Sequence, residues 1–235
     1  STLFPYTTLF RSDKLQQGYK AWVRALYTPR NPYTGVPLAK DPTVAILQVQ
    51  NEDGLFFWTV QGLKEPQKKR LGQKFATWAA TKYGSLDQAM AAWGNSSEMG
   101  DDLANKTLGL SLIWSWTRQA PPAKDGRAKR LADQLQFFVE IQRNFYADME
   151  KFYRDELGCK QLINASNWIT ADPVLLNDAE RYTDTACDVM AVNRYHAGEH
   201  KGKNNGWRVD PGDTFTNLSA VIAPRTLPMN IVQPV

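Results

Sequence analysis

The stretch DPTVAILQVQNED, Asp41–Asp53, decides the fold. Its centre, Thr43–Glu52, reads as a largely apolar strand, and the Thr43–Val49 part is apolar on both faces, as strands of a parallel sheet are. A loop dense in Pro and Gly, Thr28–Pro42, leads into it. Two later stretches read the same way: CKQLINASNW (Cys159–Trp168) and CDVMAVNRYH (Cys187–His196). Each of the three ends in polar residues, Gln50-Asn51-Glu52, Ser166-Asn167-Trp168 and Asn193-Arg194-Tyr195-His196.

Helical patterns alternate with these strands. Asp13–Tyr27 carries Leu15, Tyr19, Trp22, Val23 and Leu26 on one stripe. Glu65–Tyr83 reads as a helix closed by Gly84, and Ser85 caps a short helix closed by Gly94. Leu110–Gln119 is a weaker helical candidate. Arg127–Leu157 is a long amphipathic helix stopped by Gly158. Asp172 and Pro173 open a short helix through Thr185, and a weak helical signal lies near Asp213–Val221. Strand, helix, strand, helix, strand implies a parallel sheet wrapped by helices. Polar residues gathered at the carboxyl ends of the strands fit a (β/α)₈ barrel, whose active site is built at that face.

Composition excludes several classes. Hydrophobic residues make up 43% of the 235 and aromatics 11%, eight of them Trp, which gives ample core material. The net charge of +4 is scattered, with no basic stripe or motif of the kind nucleic-acid binding needs. No apolar run approaches the ~20 residues of a membrane helix. No G-x-G-x-x-G or P-loop follows a strand, so no nucleotide cofactor is expected. HAGEH, His196–His200, lies in a Gly-containing loop, and no metal site is expected there. Cys159 and Cys187 each precede a strand; neighbouring strands would let them bridge, but two unpaired, buried thiols are expected.

Strict alternation along the first strand would put Gln48, Gln50 and Glu52 on one face and Leu47, Val49 and Asn51 on the other. With the Gln face toward a barrel lumen, Glu52 points into the mouth. Fringed by Phe56, Phe57 and Trp58, a carboxyl there would be partly desolvated, which suits general-acid work. In the third strand the same alternation groups Ala191, Asn193 and Tyr195, and a Tyr hydroxyl at a strand end can donate to a carboxylate.

DPTVAILQVQNED, preceded by NPYTG, resembles the fourth barrel strand of the retaining glycoside hydrolases of the large TIM-barrel clan, which ends in Asn-Glu. DVMAVNRYH is similar to the sixth strand of that clan. KYGSLDQAMAAWG, Lys82–Gly94, resembles a helical segment that follows the fourth strand in barrel galactosidases. The resemblance implies an α/β fold: a partial (β/α)₈ barrel, roughly strands 4 to 6, with a helical insertion between strands 4 and 5. It implies Glu52 as acid/base, Asn51 as the partner of the sugar 2-hydroxyl, Tyr195 as the residue orienting the nucleophile, and Asn193 as its neighbour. Trp168 is a candidate sugar platform by position. The implied partner is a β-linked oligosaccharide or polysaccharide, without a cofactor. A barrel that binds carbohydrate without cleaving it is the alternative.

Retaining hydrolysis needs a second carboxylate about 5–5.5 Å from the first. The clan supplies it as a Glu ending strand seven, and no Glu follows MNIVQPV, Met229–Val235. The chain is therefore expected to be a fragment of one catalytic domain, residues 13–235, that cannot complete the cycle alone. The first twelve residues, STLFPYTTLFRS, resemble a translated sequencing-library adapter and are expected to stand outside the domain.

Overall fold

The computed structural model describes residues 9–10, 12–193, 200–203 and 210–215. It divides into two units, Ser1–Ala191 and Val192–Val235. The first is a mixed α/β unit in the order α1 (Asp13–Tyr27), β1 (Ile46–Gln48), α2 (Glu65–Tyr83), α3 (Leu86–Ala92), α4 (Asp125–Lys151), β2 (Leu162–Asn164) and α5 (Asn177–Asp184). Of the second, the described part is a short antiparallel ladder, β3 (His200–Lys201) with β4 (Thr214–Phe215). A helix was expected from Asp213. Its first residues instead extend to pair with β3, and 216–221 lie outside the described residues.

β1 and β2 run parallel in the register Ile46↔Leu162, Leu47↔Ile163 and Gln48↔Asn164. Backbone bonds carry the ladder on through Val49 N–H to Asn164 O and Gln50 N–H to Ala165 O. Val189 bridges Asn164 in parallel on the far side of β2, so among the described residues the third expected strand is present only as this single bridge, two residues past its expected start. The first two strands are shorter than expected. Prolines and turns consume the approach to β1, and the chain bends after Gln48.

The two faces of this sheet differ. Leu47, Val49 and Ile163 are buried. Ile46 and Leu162, directly paired, are about half exposed, at 53% and 48%. One face is thus packed and the other is bare at this rung.

The α1, α2 and α3 boundaries coincide with the sequence reading. Ser12 caps α1 by accepting from Leu15 N–H, Ser85 caps α3 through Gln88 N–H, and Gly84 turns out of α2 at φ 92°. The middle of α1 approaches the end of β1, where the Tyr19 hydroxyl donates to Val49 O at 2.6 Å. The helix expected over Arg127–Leu157 starts two residues earlier. Its last turn, Phe152–Glu156, widens to π-helical geometry before Gly158 ends it at φ 63°. Leu110–Gln119 holds only a single 3₁₀ turn, Ile113–Trp116. Asp172 caps a turn rather than a helix: its Oδ1 accepts from Val174 and Leu175 N–H, and α5 begins five residues later.

The helical segment between β1 and β2 contributes an aromatic layer to the one core it shares with the sheet. Phe75 lies 5.7 Å from Trp93 and 5.2 Å from Phe137, ring to ring. Beneath them Asp133 accepts from Trp93 Nε1 (2.6 Å), the Tyr83 hydroxyl (2.6 Å) and Lys82 Nζ (2.8 Å). Arg130 is 1% exposed, grips Asp101 with both terminal nitrogens, donates to Ser96 O and Gly109 O, and lies over Trp93. Such a charge is tolerated in a core only when paired and bonded in this way. Gly72 lets α2 meet the 107–109 segment, since a Cβ there would stand 2.4 Å from Leu108 O.

Leu9, Phe10 and Ser12 belong to the packed unit, against expectation. Phe10 is buried edge-on against Phe145 and Tyr146, 5.0 and 5.8 Å away, and Gln16 Nε2 donates to Leu9 O. Whatever the origin of the segment, its last residues fill a gap over α4.

Candidate functional site at the strand ends

Period-2 alternation lasts from Ile46 to Val49 and then fails. Gln50 is 3% exposed, and its Oε1 faces the buried Tyr146 hydroxyl of α4 at 3.5 Å. Gln48, Gln50 and Glu52 therefore do not share a face. Gln48 instead meets Asn51, with Nε2 donating to Asn51 Oδ1 at 3.1 Å. Glu52 completes the bend in the left-handed region, φ 46°. That is an unfavourable conformation for a residue with a Cβ.

Asn167 holds this bend together. It lies three residues past the end of β2 and is 5% exposed. Its Oδ1 accepts the Glu52 N–H at 2.8 Å. Its Nδ2 donates to Asn51 Oδ1 at 2.9 Å and to Gln48 Oε1 at 3.1 Å. Asn164 Nδ2 adds a second bond to Gln48 Oε1 at 3.1 Å. Three amide side chains at the ends of two parallel strands thus fix Asn51 and Glu52. Asn51 is exposed, Glu52 is half-buried, and both stand at the carboxyl end of the sheet. In the sequence Asn167 is one polar residue of a strand end, and its bonds to a bend 115 residues away leave no local signal.

Trp168 is half-buried, edge-on to Phe57 at 5.1 Å, with its carbonyl accepting from Arg181. The fringe around Glu52 is uneven. Phe56 is fully buried, Phe57 half-buried, and Trp58 exposed. Asn193 belongs to the second unit and is half-buried there; Tyr195 and His196 lie outside the described residues.

Behind the bend lies a buried acidic cluster that the sequence did not mark. Glu180 and Asp184 of α5 are 1% and 0% exposed, and Asp53 is buried beside them. Gln142 of α4 links Glu180 to the strand end. Its Oε1 accepts Leu55 N–H at 2.7 Å, and its Nε2 donates to Glu180 Oε2 at 3.0 Å and to the Thr183 hydroxyl at 2.9 Å. Burial, then the Asp184 charge, push the Glu180 carboxyl well above the usual range; burial raises Asp184 against the pull of Arg181. Ser166 and Thr59 hydroxyls tie down Asp53 through its O and Oδ1.

Both cysteines are free thiols, Cys159 buried and Cys187 half-buried. Burial raises both, and with Glu150, Asp184 and Asp188 nearby Cys187 reaches about 12, which makes it a poor nucleophile. Among the described residues no helix is long and apolar enough to cross a membrane.

No family model, no curated protein and no solved structure matches the chain.

Proposed function

We propose that this chain is the middle of a (β/α)₈ barrel from a retaining glycoside hydrolase acting on a β-linked oligosaccharide or polysaccharide. The supporting observation is the bend that sets Asn51 and Glu52 side by side at the carboxyl ends of adjacent parallel strands. The bare sheet face at Ile46 and Leu162 is in keeping with a lumen. In this reading Glu52 protonates the leaving glycosidic oxygen, then deprotonates the water that releases the glycosyl-enzyme. Asn51 donates to the sugar, and Trp168 offers a ring beside it. The nucleophile would come from a seventh strand.

The test uses the full-length protein that carries this chain. Aryl β-galactoside, β-glucoside, β-mannoside and β-glucuronide are assayed for the wild type and Glu52→Gln. The substitution should cost about 10²–10⁴-fold on a poor leaving group and much less on an activated one, with azide restoring turnover. Full activity in Glu52→Gln would refute the assignment. Binding of oligosaccharide without turnover by the wild type would favour the non-catalytic barrel.

A further inference from the structure

We infer that Asn167 is the positioning residue of this site and sets both what Glu52 and what Asn51 present to a ligand. The inference rests on the hydrolase reading. Two observations carry it. First, the Glu52 backbone is held left-handed at φ 46°, and its N–H donates to Asn167 Oδ1 at 2.8 Å. A residue with a Cβ leaves that region when released, because extended or right-handed backbone is lower in energy. Such a flip at the α-carbon would redirect the Glu52 carboxyl.

Second, Asn51 Oδ1 accepts from two amides, Gln48 Nε2 and Asn167 Nδ2. With its oxygen turned inward onto protein donors, an exposed Asn51 presents its Nδ2 outward. The group it recognises must then accept a hydrogen bond, as a sugar hydroxyl oxygen does. Asn167 has the geometry for both tasks because an amide carries acceptor and donor on one plane. An Asp keeps the acceptor and loses the donors; an Ala loses both.

The experiment compares leaving groups in the full-length protein, on the aryl β-glycoside it turns over. Misplacing an acid harms substrates that need protonation more than those that do not. Asn167→Ala should lower kcat/KM about 10–100-fold for the unsubstituted phenyl glycoside and only about threefold for the dinitrophenyl one. Asn167→Asp should recover most of the phenyl-glycoside kcat, while KM stays raised because Asn51 can rotate to donate inward. Equal losses on both substrates, or none, would overturn the inference. If Glu52→Gln shows the leaving-group contrast and Asn167→Ala does not, this inference alone falls. If Glu52→Gln shows no contrast, the hydrolase reading falls and takes it along. Should Asn167→Ala not fold, Asn167→Ser, which also lacks the reach to Glu52 N–H, carries the same comparison.

Discussion

The Glu180 carboxyl stands against Gly54: a Cβ on that glycine would lie 3.1 and 3.2 Å from its two oxygens. Glu180 cannot retreat, because it is buried and its Oε2 is held by Gln142. Gly54→Ala should therefore destabilise the protein by about 1–3 kcal/mol, more than the ~0.4–1 kcal/mol gained from a stiffer unfolded chain. Urea denaturation measures it. A neutral or stabilising result would mean that the loop after β1 slides freely over α5.

The Glu180–Asp184 pair gives a pH dependence with a definite sign. Both carboxyls sit above their ordinary range in the fold, so the folded state keeps protons that the unfolded chain releases. Their contribution is complete in acid, below the ordinary carboxylate values, and is lost as pH climbs through the raised ones. The loss is bounded at about 1.4 kcal/mol per pH unit for each proton. Urea midpoints of the wild type should fall between ~pH 5 and ~pH 9, and Glu180→Gln should flatten that fall. Parallel curves for the two proteins would rule the pair out as the cause.

Asp172 contributes with the opposite sign. Burial works to raise it, but the N–H groups of Arg118, Val174 and Leu175 and the Arg118 side chain win and hold it at about 2. Its contribution is present at neutral pH and is lost as pH drops toward that value. Asp172→Asn should reduce stability at neutral pH and shallow the acid limb of the profile, as followed by helical ellipticity.

The N-terminal residues offer a direct contrast. Phe10→Ala should cost about 3–5 kcal/mol, as removal of a buried aromatic does, and Ser12→Ala about 1 kcal/mol through the lost cap. Thermal melts of both variants decide whether the segment around Phe10 contributes to the fold or merely lies on it.

Asp133 ties together three side chains of the helical segment between β1 and β2, Lys82, Tyr83 and Trp93. Asp133→Ala would strand the Trp93 indole N–H and the Tyr83 hydroxyl, and should destabilise by about 3–5 kcal/mol. A change in tryptophan emission should accompany it, since Trp93 is fully buried.

Helices were legible because their signals are local. Ser85, Gly84 and Gly158 mark ends by their own chemistry, and α1 to α3 fall on the expected residues, although the cap of α1 is Ser12, which was expected to stand outside the domain. The strands were legible as apolar runs but not in length, because pairing with a partner over a hundred residues away decides where a ladder stops. The site divides the same way. Asn51 and Glu52 stand out as a dipeptide at a strand end. The failure of alternation at Gln50 does not, since it follows from Tyr146 on a distant helix. Nor does Glu180, a charged residue on a short amphipathic helix, packed against α4 and the loop after β1.

The sheet joins Gln48 to Asn164, 116 positions apart, whereas Tyr83 reaches Asp133 across 50. Closing the longer loop costs more chain entropy and yields only a few rungs in return. The helical segment between the strands should therefore assemble ahead of them, with the Asn51–Glu52 bend among the last features to form. During refolding, far-UV ellipticity and Trp93 burial should recover before protection of the Glu52 amide from hydrogen exchange. An interrupted folding reaction would leave a species rich in native helix whose ligand-facing end has not yet been built.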